Sequence, residues 1–206
     1  MPDAPGLELI AQEINEAHPG AVTETALEHG RATLIVDPDR VLDALRWLRN
    51  TDAQGYRFLS SLHAADYLPA TPRFAVHYEL ICRDRVERIN VKALLADPAP
   101  ANGTRVATAS ASPPHTPAGE AEDVGDDGEA VPLPTIDSCV ELFPTANFQE
   151  REAYDFFGIV FRGHPDLSRI LMPEDYVGWP QRRDFPVGGE PVLFTHNEVE
   201  SPRWFE

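Results

Sequence analysis

The sequence predicts an α+β fold: N-terminal helices packed on a small mixed or antiparallel sheet, followed by a helix and an extended proline-rich C-terminal arm. Three patterns carry that prediction. Apolar residues recur at helical spacing near the start, alternate with period two through the middle, and lose periodicity after residue 158, where prolines multiply. The 206 residues suffice for one substantial core. The organisation reads as a domain over 1–158 and an arm over 159–206.

Leu7, Ile10, Ala11 and Ile14 form the stripe of a first helix, which His18-Pro19-Gly20 ends. Residues 32–36 make an apolar run of strand length. Asp37 is a good N-cap with Pro38 at the first helical position, and Val41, Leu42, Leu45 and Leu48 supply the buried stripe of a second helix. A strand reads through 56–62. The clearest signal is a hairpin: Phe74, Val76, Tyr78, Leu80 and Cys82 alternate on one face, Arg83-Asp84 turns, and Ile89, Val91, Ala93 and Leu95 alternate back. Residues 97–131 then hold seven acidic residues, one arginine and five prolines, too little apolar surface to offset ordering entropy, and read as a disordered insertion. Ser138-Cys139-Val140-Glu141 has the form of a capping box and predicts a short helix stopped by Pro144. A further helix reads over 146–157, with Gly158 placed as its left-handed cap. Beyond it come six prolines, yet also Phe161, Leu167, Ile170, Leu171, Met172, Tyr176, Trp179, Phe185, Phe194 and Trp204. Such an arm needs apolar groups to be buried against its own domain or another protein.

Composition excludes several functions. A formal net charge of −17 cannot neutralise a run of phosphates, so nucleic acid is not expected as a partner. Anionic membranes attract clustered Lys and Arg, so membrane contact is expected only through a partner protein. The two cysteines, Cys82 and Cys139, form no CxxC and cannot by themselves hold an iron–sulfur cluster or structural zinc; both sit in apolar segments and read as buried thiols. No stretch reaches the length of a membrane span, and the first residues lack the pattern of a signal peptide.

The densest motif is Glu150-Arg151-Glu152-Ala153-Tyr154-Asp155-Phe156-Phe157-Gly158-Ile159, then Gly163-His164-Pro165-Asp166-Leu167. On a helix, Arg151 and Asp155 are an i,i+4 pair, and Glu152 lies three residues before Asp155. Arg151 is therefore expected to be buried and paired with a carboxylate. Glu152, Asp155 and His164 could also be acid–base machinery, but no activated Ser or Cys nucleophile accompanies them, and one His among scattered carboxylates matches no standard metal spacing. The alternative is that these residues hold the arm and a partner in register through paired hydrogen bonds. His164 then turns the chain into Pro165 and shuttles no protons.

These residues, with Arg169-Ile170-Leu171 and Gly178-Trp179-Pro180-Gln181-Arg182-Arg183-Asp184-Phe185-Pro186, closely resemble the signature of the 30 kDa subunit family of respiratory complex I, the NADH-quinone oxidoreductase, a signature shared with related subunits of membrane-bound hydrogenases. Phe58-Leu59-Ser60-Ser61-Leu62 with Asp66 resembles its looser N-terminal pattern. Ser168, Trp179 and Phe148 depart from residues common in the family, and the acidic stretch resembles a lineage-specific insertion. The resemblance implies a non-redox scaffold subunit of the peripheral arm of an NADH:quinone oxidoreductase, with no catalytic, cofactor or metal site of its own. FMN and Fe–S clusters would lie in partner subunits, among them the hydrogenase-like large (quinone-site) subunit and a cluster-bearing small subunit. It further implies a peripheral place on the cytoplasmic face of the bacterial plasma membrane. Glu150, Arg151, Glu152, Tyr154, Asp155, Gly158, Gly163, His164, Pro165, Asp166, Arg169, Arg182, Arg183 and Asp184 are its signature and interface residues. The alternatives are the equivalent subunit of a membrane-bound hydrogenase or related dehydrogenase, a free-standing hydrolase, and an assembly chaperone.

Overall fold

The computed structural model describes residues 2–98, 122–124, 130–174 and 176–185. Helix α1 (Ala4–Ala17) starts where the Asp3 carboxylate accepts from the Gly6 N–H at 2.9 Å, and it buries Leu7, Ile10, Ala11 and Ile14. Strands β1 (Val22–Glu28) and β2 (Arg31–Val36) pair antiparallel across a turn at His29 and Gly30, both with positive φ. Asn15 ties α1 to β1, because its amide donates to the Val22 carbonyl and accepts from the Val22 N–H, each at 2.9 Å. Asp37 caps a single 3-10 turn (Pro38–Arg40), and helix α2 (Val41–Asn50) follows with Val41, Ala44, Leu45 and Leu48 buried.

Strands β3 (Phe58–Asp66), β4 (Phe74–Cys82) and β5 (Glu87–Leu95) complete a five-stranded sheet of order β1-β2-β5-β4-β3. The hairpin forms in the expected register: Phe74 opposes Leu95, Val76 opposes Ala93, Tyr78 opposes Val91 and Leu80 opposes Ile89. Within this sheet only β2–β5 is parallel, with α2, β3 and β4 between them in the chain, so the sheet is mixed and the α+β class holds. One sheet face carries Leu34, Val36, Val76, Tyr78, Leu80, Val91 and Ala93, which share one core cluster with the buried stripes of all three helices.

One element is added to the sequence reading and three expectations are corrected. Strand β1 has no counterpart in the sequence reading, because Val-Thr-Glu-Thr-Ala-Leu-Glu at the sheet edge buries only Val22. The capping box at Ser138 opens one turn and no helix. Pro144 stops it, and the Ser138 hydroxyl is drawn to Glu150. Within the acidic insertion, strands β6 (Glu122–Val124) and β7 (Ala130–Pro132) pair antiparallel, so 97–131 is not without structure throughout; 99–121 and 125–129 lie outside the described residues. Finally, the chain after helix α3 (Ala146–Phe157) does not leave the domain at residue 159. Ile159, Val160 and Phe161 are buried, and β9 (Val160–Arg162) pairs parallel with β8 (Thr135–Asp137). Phe194 and Trp204 lie outside the described residues.

Leu34 is fully buried beneath the helices, whereas Val86 is 85 % exposed with φ +53. Leu34→Ala is expected to lower unfolding free energy by about 2–5 kcal/mol. Val86→Asn should raise it by roughly 0.5–1 kcal/mol, since a β-branched residue is strained in the left-handed region that Asn tolerates. Chemical denaturation of the full chain checks both.

Candidate functional site

The signature helix α3 ends in a buried setting, and the last four carbonyls of a helix have no partner within it. Each is satisfied here. The Tyr154 carbonyl accepts from the Gly158 N–H at 2.8 Å, that of Asp155 from Arg169 Nη1 at 3.0 Å, that of Phe156 from the Gln181 N–H at 3.2 Å, and that of Phe157 from Arg182 Nε at 2.7 Å. Two guanidinium groups therefore sit at the negative end of the helix dipole. The following chain returns to cap the helix it has left.

Asp155 is fully buried and organises the first return. Its Oδ2 accepts from the consecutive backbone N–H groups of Ile170, Leu171 and Met172 at 3.1, 2.7 and 2.9 Å, and its Oδ1 accepts from Arg169 Nη1 at 2.7 Å. Burial alone would raise its pKa, but the N–H of Met172, the Arg169 guanidinium and the N–H groups of Leu171 and Ile170 hold it below the usual carboxylate range. Arg169 also donates to the Gly178 carbonyl, and its guanidinium lies 4.8 Å from the Trp179 ring centroid.

The expected Arg151–Asp155 pair does not form. Asp155 is saturated by the 169–172 segment, and Arg151, half-buried, instead donates from Nε to the Ser168 carbonyl and from Nη2 to the Arg169 carbonyl, at 3.1 and 3.0 Å. A planar fork suits two successive carbonyls as well as a carboxylate.

Gly158 has two roles. Its φ of +68 makes it the left-handed cap, and a Cβ there would stand 2.5 Å from Trp179 Cε2 and 2.8 Å from Arg182 Nη2. Trp179 packs edge-on against Tyr154 at 5.1 Å, and the Arg182 guanidinium lies 5.2 Å from the Phe74 ring centroid. The second return ends on Arg73, buried at the head of β4. Its guanidinium meets Asp66 at 2.7 Å, Asp97 at 2.9 Å and Asp184 at 2.6 Å, bidentate to the first and last. The Arg183 N–H donates to Asp66 Oδ2, and its side chain to the Leu68 carbonyl. Burial would raise the pKa values of Asp66 and Asp184, yet the bonds from Arg73 hold both low. Nothing in the local sequence marks Arg73 as the hub, because Asp184 is 111 residues away.

The remaining signature residues close the other end of α3. Glu150, fully buried, accepts from the Ser138 hydroxyl at 2.6 Å and the Cys139 N–H at 2.8 Å, and burial raises its pKa. Gly163 turns the chain with φ +80. His164 Nδ1 accepts from the Asp166 N–H at 3.0 Å, which leaves Nε2 to donate to the Asn147 carbonyl at 3.1 Å; burial lowers its pKa. Pro165 and Asp166 are exposed on this turn, as is Glu152 on the helix. The hydrolase constellation of Glu152, Asp155 and His164 is not assembled, since Asp155 and His164 are each consumed by separate backbone segments.

The model of the family "Respiratory-chain NADH dehydrogenase, 30 Kd subunit" matches residues 34–111 and 127–191, which include every one of these signature positions. The chain belongs to that family. Curated members are named as a subunit of NADH-quinone oxidoreductase. The one from Herpetosiphon aurantiacus is 39% identical over 171 residues, 83% of this chain and 80% of its own length. A Roseiflexus relative is 35% identical over 189 residues, covering 92% and 89%. The match leaves out 112–126, inside the acidic insertion. Among solved structures, a chain of an archaeal membrane-bound sulfane sulfur reductase complex shares the fold, with a TM-score of 0.58 at 20% identity over 95% of this chain and 97% of that one.

Asp155→Asn is expected to cost about 3–5 kcal/mol, because it removes one partner of a buried ion pair and puts an amide against three N–H donors. Glu150→Gln should cost far less, as its carboxyl is already pushed towards the neutral form. The depressed pKa values of Asp66, Asp155 and Asp184 stabilise the fold above the ordinary carboxylate pKa of about 4, and that contribution is lost as pH falls through their folded-state values. Denaturation midpoints from pH 7 to 2 should therefore fall on the acid limb for the native chain, and fall less steeply for Asp155→Asn.

Proposed function

We propose that this chain is a non-redox scaffold subunit of the peripheral arm of an NADH:quinone oxidoreductase, holding neighbouring subunits in register while the electrons pass through FMN and Fe–S centres carried by others. One observation carries the reading: the charged signature residues Glu150, Arg151, Asp155, Arg169 and Arg182 are spent on holding backbone in place. Asp155 is fully buried and accepts from three N–H groups and a guanidinium, so its carboxylate is out of a substrate's reach. On this reading the hydrogenase-like large subunit and the cluster-bearing small subunit are the partners that the arm and its exposed rim face. Rigid placement of an assembly's parts tightens site geometry elsewhere without contact with substrate. Among the described residues no helix is long and apolar enough to cross a membrane. On the same reading the chain lies on the cytoplasmic face of the bacterial membrane, held there through its complex.

The equivalent subunit of a membrane-bound hydrogenase or related dehydrogenase is the second reading, favoured by the fold shared with the sulfane sulfur reductase chain. Identities of 39% and 35% to the two quinone oxidoreductase subunits favour the first.

The test is a complex carrying Asp155→Asn in this chain. The scaffold account expects the amount of assembled complex and its NADH:quinone activity to fall together, while NADH oxidation by an artificial acceptor at the flavin is kept. Quinone activity lost from a complex assembled in native amount contradicts it.

A further inference from the structure

The helices use one face of the five-stranded sheet. The opposite face runs from Thr33 and Ile35 on β2, across Asn90, Lys92 and Leu94 on β5, to His77, Glu79 and Ile81 on β4, and ends at Ala65 and the exposed His63 on β3. No helix stripe joins it among the described residues. Its composition is that of an interface more than of a solvated surface: Ile35, Ile81, Leu94 and Ala65 are half-buried apolar groups set among polar ones.

Lys92 stands at the centre. The register places it beside Ile35 on one side and His77 on the other, with His63 one strand further. It is the chain's single lysine, among 17 basic residues and 34 acidic ones. Its ammonium lies 4.5 Å from the Tyr67 ring centroid, and it forms no ion pair with a described residue. On this face Glu79 of β4 is engaged by Arg31 at 3.5 Å. Burial lowers the His77 pKa to about 4, so this ring adds no competing charge at neutral pH; its Nε2 lies against the Tyr67 hydroxyl at 3.1 Å and its Nδ1 against the Asn90 amide at 3.2 Å, and it stacks at 4.9 Å on His63. Elsewhere this acid-rich chain surrounds one buried guanidinium with three carboxylates, yet here, among the described residues, it leaves a half-buried cation without a counter-ion. Covering that cation with apolar surface alone would leave an unpaired charge out of water, so whatever covers the face has to bring an anion.

We propose that this face is an inter-subunit interface, occupied by a segment of another subunit that presents a carboxylate to Lys92 from among apolar side chains. The inference rests on the chain's place in a multi-subunit oxidoreductase. It adds a second contact, on the side of the domain away from the core helices. Glu24 and Glu28 on the exposed edge strand favour a single carboxylate over an acidic run.

With one lysine, amine acetylation reads this site directly. The full chain, free and in the purified complex, is treated with an acetylating N-hydroxysuccinimide ester, and Lys92 is followed by peptide mass. Acetylation is expected to be at least about tenfold slower in the complex, as for a group in the desolvated centre of an interface. Equal rates in a complex that contains the chain overturn the inference and leave the proposed function standing. Slow acetylation already in the free chain also overturns it, and deletion of 99–121 then shows whether the chain's own acidic segment is the cover. In a second arm, K92E should be stripped from the complex at lower salt than the native chain while K92R is retained. Retention of K92E at native salt overturns the inference.

Discussion

The C-terminal end of α3 is the constraint on which the rest of this molecule depends. A helix that ends inside a protein leaves four carbonyls to be satisfied without water, and here a buried carboxylate, Asp155, is added to the same place. The chain solves both problems with its own continuation. Residues 169–172 wrap Asp155 in three N–H groups and a guanidinium, and residues 181–182 return to the last two carbonyls. A stretch with no repeating structure thereby acquires a fixed course.

The course then extends to the sheet. From the helix end, Trp179 and Arg182 pack over Gly158, where no side chain would fit, and Asp184 closes on Arg73 at the head of β4. Arg73 also holds Asp66 at the end of β3 and Asp97 just beyond β5. One guanidinium thus ties three strand ends to the returning chain. Of the two covers expected for the arm, its own domain or another protein, the first serves the described residues up to 185. Burying such a charge network adds little stability over apolar packing, but it admits only one arrangement of the segments it joins. That geometry suits a part whose work is to present a surface.

What was legible in the sequence was whatever has a local period or a local rule. Alternation from Phe74 to Leu95 gave the hairpin and its register, the stripes gave α1 and α2, and Gly158 was readable as a left-handed cap. Short or edge strands were not legible: β8 and β9 have three residues each, and β1 buries one side chain. The site was legible as a set of residues and illegible as a set of partners. Helical spacing pointed Asp155 at Arg151, whereas the true partner, Arg169, lies 14 residues away across a turn. The Arg73 hub joins residues separated by 7, 24 and 111 positions, and no local pattern can encode that. The second reason for Gly158, the Trp179 ring against it, is likewise a tertiary fact.

Amide hydrogen exchange on the isolated full-length chain measures the central claim most directly. The N–H groups of Ile170, Leu171, Met172 and Gln181 are predicted to exchange slowly without any partner present, on the timescale of the core strand β4, and Asp155→Asn should release the first three. Exchange of these four amides at the rate of an unstructured peptide in the free chain would contradict the account.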